Sequence, residues 1–240
     1  MIPVPGLASL FIDNAFDPAD YAGFLGDWLA DNATVVAGNI TAVASSAGAA
    51  GPLAPLGTVP YLATGWSDGT PAADFNNTSP RAFYAGSGLG GSTTWRTFHV
   101  ISLDSIVPVA PSQAIAFHGR WGDGDVFGAN VLRSFGDGFV YRQGVGVVDY
   151  LPLAVAGVQI WCFESVAGVF NVYRGLDLQL TGVTTETALN AITLCGFTTD
   201  GVSPSAASAL IGPWKRSLAY GGAIGPDRVE ITTQLQELYP

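Results

Sequence analysis

The chain carries little charge and almost no lysine. Charged residues make up 12% of its 240 residues, and Lys215 with eight arginines stands against 19 acidic residues, which gives a formal net charge of -10. A chain with this balance repels phosphate backbones and anionic membrane surfaces. The composition therefore predicts that the protein does not bind nucleic acid.

Long apolar runs are also absent. No stretch of about 18 uninterrupted apolar residues is available to span a bilayer, and the N-terminus lacks the basic start and the apolar stretch of a signal peptide. These absences predict a soluble protein made in a cytosol, without membrane insertion. The low charge and the positive mean hydropathy further predict that partner subunits cover part of the surface.

Cysteine is scarce, which limits disulfide and zinc chemistry. Cys162 and Cys195 both lie inside apolar runs, IWCFE and ITLCGF. Buried free thiols are typical of such positions, and a structural zinc site needs about four ligands. The sequence therefore predicts neither a disulfide framework nor a zinc site.

The residues of common hydrolytic sites are few as well. A Ser or Cys nucleophile needs a histidine beside it, and only His99 and His118 are present. His99 lies within an apolar strand, where a packed core histidine is expected. Glycoside hydrolysis needs two carboxyl groups, but none of the four glutamates stands in the Glu-x-Asp-x-x-Glu strand pattern of glucanases; they are Glu164, Glu186, Glu230 and Glu237. A non-catalytic protein is the expectation.

The residues that are abundant favour β structure. The chain has 31 Gly and 15 Pro, and beyond residue 60 short runs rich in Val, Ile, Phe and Tyr alternate with Gly, Asp and Pro clusters. That spacing is typical of a β-sandwich. The segment VQIWCFESVAGVFNVYRG predicts a hairpin, because two β-rich runs flank a short loop that ends in Gly168.

Both ends of the chain show helical patterns. Asp17 and Pro18 are suited to begin a helix, and Tyr21, Phe24, Leu25, Trp28 and Leu29 would share one face of it. Near the other end, Gly225-Pro226-Asp227 opens a second short helix. We expect two parts: an N-terminal attachment arm with one helix over residues 1–58, and a sandwich domain over residues 59–240.

Four segments resemble the laminin-G-like and concanavalin-A-like jelly rolls of tailed-phage structural proteins. They are WRTFHVISLDSI, AIAFHGRWGDGDVF, VQIWCFESVAGVFNVYRGLDLQL and WKRSLAYGGAIGPDRVEITTQLQELY. One turn departs from the family pattern, because Arg174 rather than Asn precedes Gly175. The resemblance implies an all-β, two-sheet antiparallel jelly-roll sandwich with a short N-terminal helix or arm and a short C-terminal helix.

The same resemblance implies a function and a location. The expected role is a non-catalytic virion structural protein of a spike, tail fibre or capsid decoration, assembled in the host cytoplasm and mediating attachment to the host surface. Residues 1–58 would contact other virion subunits, and the protein would form a homo-oligomer. The alternatives are a carbohydrate-binding adhesin module outside a virion and, ranked last, a glycan-cleaving enzyme.

One loop concentrates candidate ligand-binding residues. It follows His118 and contains an arginine, an aromatic ring and two carboxylates among glycines. Trp121 can stack on a sugar ring while polar groups take its hydroxyls, which makes this set a candidate glycan site: Arg120, Trp121, Asp123 and Asn130. Alternatively, oxygens of Asp123, Asp125 and Asn130 can hold Ca²⁺. No other cofactor is expected. A third reading is an acidic turn with Trp121 packed inward.

The remaining aromatic and basic residues invite structural interpretations. Trp161 and Trp214 lie in strand-like runs and are expected in the core. Lys215 and Arg216 either pair with acids of a neighbouring subunit or lie at a solvated strand end.

Overall fold

A computed structural model describes residues 16–76, 81–104, 112–118, 127–133, 138–142, 146–151, 156–184, 188–198 and 204–240. The chain begins there with a 3-10 helix, Pro18–Asp20, and ends with α1, Arg228–Leu238. The strands between them are β1 (Phe24–Val36), β2 (Asn39–Ser45), β3 (Ala54–Leu56), β4 (Val59–Leu62), β5 (Ala72–Asn76), β6 (Ala82–Ala85), β7 (Trp95–Leu103), β8 (Ser112–His118), β9 (Phe127–Arg133), β10 (Gly138–Arg142), β11 (Gly146–Leu151), β12 (Gly157–Val166), β13 (Val169–Arg174), β14 (Asp177–Thr184), β15 (Ile192–Leu194), β16 (Gly196–Thr198), β17 (Pro204–Ala209) and β18 (Ile211–Gly221).

The strands form two sheets, which confirms the mostly-β expectation. Sheet A has the order β1-β2-β4-β5-β18-β7-β12-β13-β14, and sheet B has β11-β10-β9-β8-β15-β6-β3 with β16 and β17 attached. In sheet A, β1 pairs with both β2 and β18, so β1, β2, β4, β5 and β18 close a ring of five strands. The jelly-roll topology is not confirmed, because this closed ring is not part of such a sandwich.

The predicted N-terminal helix is wrong. Apart from the short 3-10 helix, the segment is a strand, β1, in which Trp28 enters the core while Asp27 faces the opposite side. Pairing with β18 favours the strand over the helix, since Asp27 accepts a hydrogen bond from Arg216 across the two strands. A side chain at Gly26 would also lie 2.6 Å from the Cβ of Ala50, so this strand passes its neighbour too closely for any larger residue.

Residues 24–56 supply β1, β2 and β3 to the same two sheets as the rest of the chain. The described part of the segment expected to be an attachment arm is therefore built into the sheets. Its use for contacts with other subunits stays a prediction.

The hairpin and the C-terminal helix are confirmed. β12 and β13 pair in register from Trp161 opposite Arg174 to Val166 opposite Val169. Ala167 and Gly168 form the two-residue turn, both with positive φ. Such a turn matches the twist of the strands it joins. At the other end, α1 begins after Asp227, as the Gly-Pro-Asp motif predicts. In the described part of the chain, neither helix has the length and apolar character needed to cross a membrane.

Sheet A is covered on both faces. Between the sheets lies the larger core, which includes Trp28, Trp95, Trp161 and Trp214. On the outer face, α1 packs Ile231, Leu235 and Tyr239 against side chains of β7, β12 and β18. The helix therefore closes a second, smaller core and leaves a groove along each of its flanks.

Two buried ion pairs lie on this outer face. Arg216 donates to both carboxylate oxygens of Asp27, at 2.8 and 2.9 Å. Arg96 donates through Nε to Glu164 at 2.8 Å and through Nη1 to the carbonyl of Gly225 at 3.1 Å. The second pair thereby links β7 and β12 to the loop that leads into α1.

Candidate functional site

A groove of about 400 Å³ lies between the 3-10 helix and α1. We call it the acidic groove; its described lining consists of Phe16, Asp17, Asp20, Tyr21, Asp227, Glu230 and Gln234. The two walls come from opposite ends of the chain, because Tyr21 and Glu230 are 209 positions apart. No sequence motif spans such a separation, which is why sequence reasoning missed this site.

Local sequence explains each wall. Asp17 caps the 3-10 helix by accepting from the backbone amide of Ala19 at 2.9 Å, and Pro18 takes the first helical position. The hydroxyl of Tyr220 donates to the carbonyl of Pro18 at 3.2 Å and so fixes this wall to sheet A. On the other wall, Glu230 lies in the first turn of α1, where a negative charge is favourable at a helix N-terminus.

Two aromatic rings border the acidic groove. Phe16 and Tyr21 are half-buried, with ring centroids 6.1 Å apart. The hydroxyl of Tyr21 donates to Oε1 of Glu230 at 3.2 Å, which joins the two walls. Burial raises the pKa of Tyr21, and the hydrogen bond and charge of Glu230 raise it further. The phenol is therefore protonated at neutral pH.

The two basic residues of β18, Lys215 and Arg216, form ion pairs within the chain. The guanidinium of Arg216 lies 5.2 Å from the centroid of the Phe16 ring while it pairs with Asp27. Lys215 donates to Asp31 at 2.6 Å and also to Thr70 and Pro71. The expected pairing of Lys215 and Arg216 with a neighbouring subunit is therefore corrected: both pair with acids of their own chain, because β1 lies beside β18.

This arrangement is suited to polyhydroxylated ligands. An aromatic ring can pack on the C–H face of a sugar, while carboxylate and amide groups take its hydroxyls. Within the described ranges, no group of three or more His, Cys, Asp or Glu side chains is placed to hold a metal ion. The carboxylates of the groove are hydrogen-bond acceptors, and Asp17 and Glu230 already accept through one oxygen each, from Ala19 and Tyr21.

A second groove, of about 440 Å³, follows the other flank of α1. We call it the apolar groove; its lining includes Val158, Ile160, Arg174, Gln236, Tyr239 and Pro240. Tyr239 is mostly buried and makes an edge contact with Trp66. Its ring therefore belongs to the outer core. None of the described residues that line this groove is Asp or Glu.

The loop singled out from the sequence lies outside the described residues. This applies to Arg120, Trp121, Asp123 and Asp125; Asn130 belongs to β9, where it pairs with Phe139 and Ala114, and its side chain is likewise not described. His118 and Phe127 are paired, so residues 119–126 connect two neighbouring strands. The glycan and calcium assignments for this loop stay predictions.

Both histidines are buried in the main core, as expected for His99. His99 Nδ1 lies 2.9 Å from Ser217 Oγ, and His99 Nε2 lies 3.0 Å from Thr97 Oγ1, which in turn lies 2.8 Å from His118 Nε2. The indole of Trp214 donates to the same Ser217 oxygen at 2.9 Å. One assignment of protons satisfies this chain in a single direction, from Trp214 through Ser217, His99 and Thr97 to His118, with both imidazoles neutral.

The remaining core predictions are confirmed. Trp161 and Trp214 are fully buried, and Cys162 and Cys195 are buried free thiols. Burial raises the pKa of both thiols, so neither is a reactive thiolate at neutral pH. Trp66 and Trp95, which stand at turn-like positions in the sequence, are buried as well.

No protein-family model matches the chain, and no curated protein matches its sequence. Its fold is similar to solved structures. Domain 4 of AbnA, a GH43 extracellular arabinanase from Geobacillus stearothermophilus in complex with arabinotriose, has a TM-score of 0.63 at 14% identity, and the match covers 92% of this chain and 100% of that one. A Trypanosoma rangeli sialidase in complex with sialic acid has a TM-score of 0.60 at 8% identity, covering 90% of this chain and 32% of the sialidase. An arabinofuranosidase complexed with arabinofuranosyl-alpha-1,2-xylobiose has a TM-score of 0.58 at 8% identity, covering 84% of this chain and 51% of the enzyme.

At these identities the similarity shows a shared β-rich fold. The expectation of a non-catalytic virion structural protein is contradicted by these similar structures: they are a domain of an arabinanase, a sialidase and an arabinofuranosidase, and none of the three is a virion protein. No laminin-G or phage relationship supports the resemblance drawn from the sequence, and neither virion subunits nor a homo-oligomer finds support. The alternative of a carbohydrate-binding module agrees better with these structures.

Proposed function

We propose that this chain is a carbohydrate-binding domain that holds an oligosaccharide in the acidic groove. The observation that carries the proposal is the lining of that groove, where two aromatic rings, an amide and four carboxylates surround about 400 Å³. The domain-sized match to an arabinanase domain in complex with arabinotriose supports it, since the match covers nearly the whole of both chains.

Side chains on both walls of the groove can contact a bound sugar. Tyr21 offers a half-buried ring whose position is held by its bond to Glu230. Gln234, on α1, can both donate to and accept from sugar hydroxyls. The carboxylates accept further hydroxyl protons in hydrogen bonds that are stronger than neutral ones because the acceptor is ionised.

Calorimetric titration with arabinotriose and a panel of neutral oligosaccharides tests the proposal. Tyr21→Ala removes the ring, and a stacking contribution of about 1.4 kcal/mol predicts about tenfold weaker binding. Gln234→Ala removes the amide and is expected to weaken binding by a similar factor. Gln236→Ala is the matched control, because Gln236 lies on the same helix but lines the apolar groove. Equal affinities in all three variants would move the site away from the acidic groove.

The loop of residues 119–126 stays a second proposed location. Trp121 would stack on the sugar while Arg120, Asp123 and Asn130 bind hydroxyls, or Asp123, Asp125 and Asn130 would hold Ca²⁺. Loss of binding in Trp121→Ala, with Tyr21→Ala unchanged, would favour the loop. Loss of glycan binding on adding a chelator, with recovery on adding Ca²⁺, would support the calcium site.

Glycan cleavage is a second candidate function, favoured by one observation. The acidic groove gathers carboxyl groups from opposite ends of the chain, Asp17 and Asp20 from one wall and Asp227 and Glu230 from the other, although none of the glutamates stands in the glucanase strand pattern. Paired carboxyl groups are what glycoside hydrolysis requires. Release of reducing ends by the purified protein, abolished in Glu230→Gln while binding persists, would establish this activity.

A further inference from the structure

We infer that the acidic groove selects neutral glycans and rejects glycans that carry carboxylates, such as uronic or sialic acids. The inference rests on the proposed function, since it assigns the ligand class of the same groove. The preference for neutral glycans follows from two separate properties of the lining: the sign of its charges and the small number of its hydrogen-bond donors.

The charges of the lining have one sign. Four of the seven described lining residues are acids, and none of the seven is Lys, Arg or His. Residues 1–15, which precede this wall, contain no Lys, Arg or His in the sequence either. A ligand carboxylate in the groove would therefore lie near several like charges without a compensating cation, an arrangement that disfavours the charged form.

Two arginines beside these walls, Arg216 and Arg228, are engaged in other contacts. Arg216 makes two hydrogen bonds to Asp27 beneath Phe16. Arg228, at the start of α1, lies 3.7 Å from the centroid of the Tyr173 ring, on a strand of sheet A. Recruiting either guanidinium for a ligand would break one of these contacts, and neither arginine is among the described lining residues of the groove.

The lining is also rich in acceptors and poor in donors. The hydroxyl proton of Tyr21 is already donated to Glu230, and carboxylates donate none when ionised. Among the described lining residues, Gln234 alone has a side-chain N–H to offer. The ligand must therefore bring the donors itself. Sugar hydroxyls do so, whereas an anionic group brings only acceptors.

Two trisaccharides with the same sugar skeleton, one anionic and one neutral, provide the sharpest test. Trigalacturonic acid and its full methyl ester share one skeleton, and arabinotriose serves as a second neutral ligand. We expect the ester and arabinotriose to bind at least tenfold more tightly than the acid. Added salt should narrow this difference by screening the repulsion, while leaving binding of the neutral ligands unchanged.

Variants then assign the discrimination to the groove. The double variant Asp20→Asn with Asp227→Asn removes two of the four charges, and we expect it to reduce the preference for the ester to less than threefold. Asp177→Asn, at the exposed start of β14, is the matched control and should leave the preference intact.

The outcomes separate the two claims. Equal or tighter binding of the acid by the unaltered protein overturns the assignment of neutral glycans and leaves carbohydrate binding standing. Absence of binding to every neutral and acidic glycan tested overturns the proposed function, and the ligand class with it. A preference that persists in the double variant overturns the electrostatic origin inferred here.

Discussion

Sheet A buries polar groups on both faces, and the two faces satisfy them by different means. On the face toward sheet B, neutral side chains from Trp214 to His118 are linked by consecutive hydrogen bonds. On the face toward α1, Arg216 and Arg96 are held by carboxylates. The comparison shows that burial tolerates either solution, provided that every partner is present.

The two solutions differ in what breaks them. Removing one charge of a buried ion pair lowers the stability of the fold most, because the other charge stays unpaired in a medium of low dielectric constant. Removing one side chain from a neutral hydrogen-bonded chain costs less stability. Such a chain is sensitive to protonation, however, since a proton added to an imidazole places a charge in the core. We therefore expect the outer face to respond most to substitution and the inner face to respond to acid.

The largest effect is expected on the outer face, from Asp27→Ala. This change leaves Arg216 buried without its carboxylate and should lower the free energy of unfolding by about 3–5 kcal/mol. Urea denaturation followed by tryptophan fluorescence measures it. The double variant Asp27→Leu with Arg216→Met removes both charges and should recover most of the loss. A single variant within 1 kcal/mol of the unaltered protein would show that the pair is effectively solvated.

A smaller effect is expected on the inner face, from Ser217→Ala. The indole N–H of Trp214 and Nδ1 of His99 would both lose their partner, which should cost about 1–3 kcal/mol. The same denaturation experiment applies, with Ser67→Ala as a control because Ser67 is exposed. If Ser217→Ala and the control were equally stable, the hydrogen-bonded chain would contribute nothing to stability.

Mild acid should act on the inner face through His99. Burial lowers the pKa of His99 well below its ordinary value of 6.5, and the neighbouring His118 lowers it further. As pH falls below about 6.5, the unfolded chain binds a proton that the folded chain does not, so stability present above that pH is lost by at most about 1.4 kcal/mol per pH unit. Unfolding free energies of the unaltered protein and of His99→Asn, measured between pH 7.5 and 5.5, isolate this slope. Identical slopes would mean that His99 has the same pKa in the folded and the unfolded protein.

Features that depend on neighbouring residues in the chain were predictable from the sequence. The turn at Gly168 and the start of α1 after Asp227 follow from short-range preferences of Gly, Pro and Asp. The burial of Trp161 and Trp214 follows from their place in apolar strand-like runs. In each case the local preference and the tertiary structure agree.

The segment Asp17–Leu29 shows where local reasoning failed. Its apolar spacing fits a helical face, yet β1 forms because its edge pairs with β18 and Asp27 meets Arg216. The same limitation hid the acidic groove, since no local pattern relates Tyr21 to Glu230. Pairings between distant segments are set by the whole fold and leave no periodic signal in either segment alone.

By itself, the sequence determined that this protein is built mainly of strands, ends in a short helix and carries an excess of acidic side chains, because composition, turn residues and charge are local properties. The tertiary structure alone decided where that acidity matters. It placed the 3-10 helix beside α1, so that acids from the two ends of the chain face one groove, and it paired Arg216 with Asp27. Long-range strand pairing brings those groups together, and only the folded chain shows it.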